Sequence, residues 1–71
     1  MARRSYEVIV EGRVGPAVTD AFAPLDVRTE GGETTISGPA LDAAMLGGVL
    51  RTIERMGLVL VAIRSHVNSA G

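Results

Sequence analysis

At 71 residues the chain is one small domain, and a domain of this size buries only about 60% of the surface its unfolded chain exposes, so self-association is worth considering as a source of stability. The net charge of −1 supplies no field for nucleic acid or an anionic membrane, and the absence of cysteine excludes disulfides and thiolate metal sites. Hydrophobic residues make up 46% of the chain but aromatics only 3%, Tyr6 and Phe22 alone, so the core must be aliphatic, with little to stack on bases or a flat cofactor.

The N-terminus passes from Arg3 and Arg4 directly into a strand. Across Ser5 to Gly12, Tyr6, Val8 and Val10 alternate with Glu7, Ile9 and Glu11, the pattern of a half-buried strand. Pro16 to Ala23 allows a short helix with Pro16 in its first turn and Val18, Ala21 and Phe22 on one side; Pro24 ends it. Leu25 to Glu30 and Glu33 to Ser37 flank Gly31-Gly32, where two positive φ angles are free of strain, so they form a hairpin. Counting outward from the turn, Val27 faces Ile36 and Arg28 faces Thr35.

Leu41 to Met56 is the one segment long and periodic enough for a full helix. Met45, Val49, Ile53 and Met56, with Leu46 and Leu50 alongside, make an apolar stripe to lie on a sheet. Asp42 suits the N-terminal cap and Gly57 the left-handed residue that ends the helix. Gly47 and Gly48 in its middle each cost about 1 kcal/mol relative to alanine. They either let the helix pack closely on its own sheet or other helix, or open a shallow groove for a small ligand or a helix of another subunit. The spacing does not separate the two.

Leu58 to Ser65 is almost continuously apolar and β-branched, as expected of a strand covered on both faces. The whole, residues 1–71, is a single α+β domain with residues 1–4 and 67–71 as loose ends. Its order, strand, helix, strand, strand, helix, strand, is a ferredoxin-like βαββαβ sandwich: a four-stranded antiparallel sheet, the first strand between the third and fourth, with two helices on one face. Setting the last strand against the first places Glu7 opposite Arg64, Ile9 opposite Ala62 and Glu11 opposite Leu60. The uncovered face would then display Ile9, Leu58, Leu60 and Ala62 among charges, with Glu7 and Arg64 as an ion pair. An apolar patch rimmed by charge often marks a protein contact, so Ile9, Leu58, Leu60, Ala62 and Arg64 are the candidate interface, where a second sheet would stack to make a dimer. Pairing along the edge strand Leu25 to Glu30 would make another kind, and Gly47 and Gly48 are the weaker candidate for a ligand.

The topology resembles the regulatory ACT-type modules, whose glycine-containing ligand loop after the first strand is matched here by Gly12 and Gly15. More of the chain, YEVIVEGR at its opening, GPALDAAMLGGVL and the closing GLVLVAIR, is similar to small uncharacterised actinobacterial proteins. Such a source agrees with seven cations that are all arginine and with the abundance of Ala, Gly and Val. The resemblance implies no activity, so no functional residue is carried over from it.

Chemistry is sparse. His66 is the lone histidine and follows the last strand; a catalytic role would require a carboxylate such as Asp20 or Asp26 beside it. Glu7 and Glu11 lie too far apart on an open strand face to form a general acid-base dyad. No phosphate-binding loop is present, and the third strand lacks the aromatics of RNA-recognition sheets. No run approaches a membrane span, and no signal segment precedes the first strand, so a cytoplasmic location is expected. The composite reading is a homo-oligomeric interaction or regulatory module with no catalytic or metal-ligating residue and no cofactor, which associates with itself or another protein. A small enzyme or biosynthetic accessory protein with a pocket at the subunit interface is the alternative.

Overall fold

A computed structural model describes residues 3–68. Six elements follow in the expected order: β1 (Arg3–Glu11), α1 (Pro16–Phe22), β2 (Asp26–Glu30), β3 (Glu33–Ser37), α2 (Ala43–Arg55) and β4 (Leu60–Asn68). The strands form one antiparallel sheet in the order β2-β3-β1-β4. Both helices lie on one face, because Phe22 of α1 and Val49 and Ile53 of α2 share a single core cluster with Val8, Val10 and Ile36 of the sheet. This is the split α+β arrangement read from the sequence.

Local chemistry explains most of these boundaries. Gly31 and Gly32 both adopt positive φ, so the β2–β3 turn matches the strand twist and the register is the expected one, with Val27 opposite Ile36 and Arg28 opposite Thr35. The carboxylate of Asp42 accepts a hydrogen bond from the Met45 N–H at 2.9 Å and caps α2. At the other end Gly57 adopts a φ of 72°, its N–H donates to the Glu54 carbonyl, and the Leu58 N–H donates to that of Ile53. That pair of bonds is a Schellman ending, and Leu58, the residue after the glycine, packs against the core cluster that contains Ile53.

The core is aliphatic apart from Phe22. Leu41, expected as the first residue of the long helix, instead precedes the cap and is fully buried. Its carbonyl accepts from the Tyr6 N–H at 2.9 Å, and its N–H donates to the Gly38 carbonyl at 3.0 Å. The residue before the cap thus anchors α2 to β1, packing in the same cluster as Leu46 on the first turns of the helix. Thr34 is also fully buried; its hydroxyl donates to the Gly12 carbonyl at 2.7 Å and lies 3.0 Å from the Thr29 hydroxyl, so its polar group is satisfied.

The chain ends differ from expectation. Arg3 and Arg4 are not a loose arm, nor are Val67 and Asn68 a tail: they pair as Arg3 with Asn68 and Arg4 with Val67, extending β1 and β4 to nine residues each. Residues 1–2 and 69–71, the remainder of the expected loose ends, lie outside the described residues.

Candidate functional site

The β1–β4 ladder decides which residues share a face. Glu7 is opposite Arg64 and Ile9 opposite Ala62, as the alternation requires. Between Ile9 and Val10 the register then shifts, and Val10, not Glu11, faces Leu60. One extra residue, Val61, is accommodated in β4 as a bulge, which turns the preceding part of that strand over. Leu60 therefore lies on the helix-covered side with Val10, beside Leu50 and Ile53 of α2. Leu58 lies there too, drawn onto the core by the Schellman ending of α2.

The apolar patch expected on the open face is consequently not assembled. Of its members, Ala62 stays on that face; Ile9 stays as well but is only 7% exposed, between Thr35 and Ala62 on the two neighbouring strands. Arg64 is on the open face opposite Glu7, yet the close contact that Glu7 makes is with His66, whose Nε2 lies 3.3 Å from its carboxylate. Both side chains are partly exposed. The acid beside His66 is thus Glu7, one step along the ladder, and neither Asp20 nor Asp26. At the far end of the same face Glu30, Glu33 and Glu11 stand in a row across three strands, a feature that only the combined registers of two ladders reveal. Among the described residues no group of three or more His, Asp or Glu is arranged to hold a metal ion.

What the sequence suggested for β4 is overturned in a second way. A strand apolar along its length was expected to be covered on both faces; β4 takes the edge position that the expected order gives it, but neither of its faces is closed. Leu60 is 44% exposed, Val61 45%, Ile63 41% and Val67 55%. Ile63 lies opposite the fully buried Val8 on the helix side, so its exposure means that α1 and α2 do not reach across the fourth strand. The outer side of β4 also presents unpaired backbone N–H and C=O groups, as every edge strand does.

Gly47 and Gly48 are exposed on α2. A Cβ added at either would meet nothing within 4 Å, so neither is there to let the helix approach its own sheet or α1. Gly48 instead lines an open groove of about 350 Å³ with Phe22, Leu25, Met45, Val49 and Thr52, where the Thr52 hydroxyl donates to the Gly48 carbonyl at 3.0 Å. The packing explanation for the glycines fails inside the monomer. Among the described residues no helix is long and apolar enough to cross a membrane.

No curated protein and no solved structure matches the chain. A family model described as a domain of unknown function, DUF8691, matches residues 5–64, from within β1 to the middle of β4. With most of its length inside that match, the chain belongs to the DUF8691 family.

Proposed function

We propose that the chain is a cytoplasmic, non-catalytic interaction or regulatory module that works as a homo-oligomer, and that β4 is where its copies meet. The observation that carries this reading is the exposure of Leu60, Val61, Ile63 and Val67 on a nine-residue edge strand. Soluble domains blunt such edges with lysine, proline, charge, a bulge or a covering loop. β4 carries its bulge at Val61 but neither charge nor proline from Leu60 to Ile63, the bulge leaves the strand regular from Ala62 onward, and a domain this small gains proportionately from a second hydrophobic contact. Of the residues first considered for association, Leu60, Ala62 and Arg64 belong to β4 itself, whereas Ile9 and Leu58 support the strand from within. The likeness to ACT-type modules and to actinobacterial proteins belongs to the same proposal, as does a small ligand in the groove beside Gly48, which has room for one.

The test is the native mass of the purified protein. A dimer is expected, and Ile63→Glu, which sets a carboxylate among apolar neighbours without entering the core, should weaken it about 100-fold while leaving the circular dichroism spectrum unchanged. A bare monomer at high protein concentration would overturn the reading.

The Glu7–His66 pair favours a second reading, a small enzyme or accessory protein whose pocket is completed at the subunit interface, with His66 as a base oriented by Glu7. It predicts that His66→Ala abolishes an activity and leaves folding intact. Under the first reading His66→Ala removes a half-exposed side-chain contact with Glu7 and changes stability by no more than about 1 kcal/mol.

A further inference from the structure

The manner in which two copies meet rests on the self-association reading and follows from the bulge. From Ile9–Ala62 to Arg3–Asn68 the β1–β4 ladder is regular, and beyond Ala62 the register shifts. The straight part of β4 that can template another strand is therefore Ala62 to Asn68, about 24 Å long, since a bulge bends the strand and ends regular pairing. When a strand pairs antiparallel with its own copy about a two-fold axis normal to the sheet, opposed residues must lie on the same face. Within a regular run this requires the axis to pass through a residue, not between two. Only an axis through Ser65, the middle of the seven, uses the whole run.

We propose that two copies pair their β4 strands antiparallel about a two-fold axis at Ser65, making one eight-stranded sheet with all four helices on one face. The side chains agree with this register. Ile63 of each copy lies opposite Val67 of the other on the helix side, so two of the apolar residues left bare in the monomer cover one another across the axis. On the open face Arg64 lies opposite the partner's His66. Each Glu7 stands beside its own Arg64 and His66, so a carboxylate flanks each such pair from the next strand. About Ser65 the run Ala-Ile-Arg-Ser-His-Val-Asn matches apolar Ile63 with apolar Val67 and opposes no two carboxylates, so a second copy of the strand is a fitting occupant of this edge. An axis at Arg64 would oppose two guanidinium groups, and one at Ile63 would leave only three residues of the regular run paired.

The chain has no cysteine, so single cysteines report the register cleanly. Directly opposed residues in an antiparallel pair have Cα atoms about 4.5–5.5 Å apart, within disulfide reach, whereas Ile63 and the partner's Ile63 would be offset by about 13 Å. Under mild oxidation Ser65→Cys should convert the dimer to a covalent one, Ile63→Cys and Val67→Cys alone should not, and the Ile63→Cys, Val67→Cys double variant should. Cross-linking by Ile63→Cys alone, or a dimeric native mass with no cross-link in any variant, would overturn this register and leave self-association standing. A monomeric native mass of the unaltered protein would remove both.

Discussion

The two edges of the sheet are built on opposite principles. β2 is five residues long, carries Asp26, Arg28 and Glu30 on its exposed face, and lies against α1. β4 is nine residues long, apolar from Leu60 to Ile63, and leaves Leu60, Val61 and Ile63 between two-fifths and a half exposed. The first edge is short and charged, as edges that must not pair tend to be; the second offers both unpaired backbone and apolar surface. One protected edge and one open edge permit a closed dimer, because pairing at β4 about a two-fold axis leaves β2 at both ends of the enlarged sheet. Two open edges would permit continued growth instead.

The largest change would come from the strand between β2 and β1. Ile36 is fully buried, and Ile36→Ala should cost about 3 kcal/mol by creating a cavity, a large share of the stability of so small a domain. Both edges should be lost together, seen as a lower denaturation midpoint in chemical unfolding. A comparable midpoint for this variant would show that β3 does not hold the two halves. Next, making β2 resemble β4 with Arg28→Val and Glu30→Val should convert a species of defined mass into a distribution of larger ones in light scattering, with a near-native spectrum. An unchanged mass would mean that charge on β2 is not what keeps that edge unpaired.

The smallest expected effect is Gly48→Ala. Its φ is not in the left-handed range and a Cβ there meets nothing, so the helix should be stabilised by about 0.5–1 kcal/mol, read from thermal unfolding. If self-association through β4 is the whole story, the dimer mass is unaffected. Weakened association, or loss of a ligand that travels with the protein, would transfer attention to the groove of Gly48 and Met45.

How legible the molecule was depended on the range of the interaction concerned. Gly31-Gly32, Asp42 and Gly57 could be read directly because a turn or a cap is decided by a few neighbouring residues, and the hairpin register followed by counting from the turn. The pairing of Glu7 with Arg64 and Ile9 with Ala62 was legible too, since alternation on β1 leaves little freedom. Leu60 was misplaced because a bulge leaves no mark in an apolar run: Leu-Val-Leu-Val-Ala-Ile accepts an extra residue anywhere. Leu58 was misplaced because its orientation is set by the end of α2, not by the strand it precedes. Of the candidate site, Ala62 and Arg64 kept their faces, and the Glu7–His66 contact emerged only once Arg64 and His66 stood side by side along one ladder.

By itself the sequence determined the order of the elements, the caps of the long helix, the hairpin turn and the aliphatic character of the core, because each depends on periodicity or on the conformational demands of one or two residues. Tertiary structure alone decided that Leu41 is a core residue ahead of its helix and that Gly47 and Gly48 face open space. It also decided that β4, an edge strand by the expected order, is left bare by the helices. An apolar strand reads the same whether helices lie over it or not, and coverage is a matter of reach: helices of seven and thirteen residues leave the fourth strand uncovered.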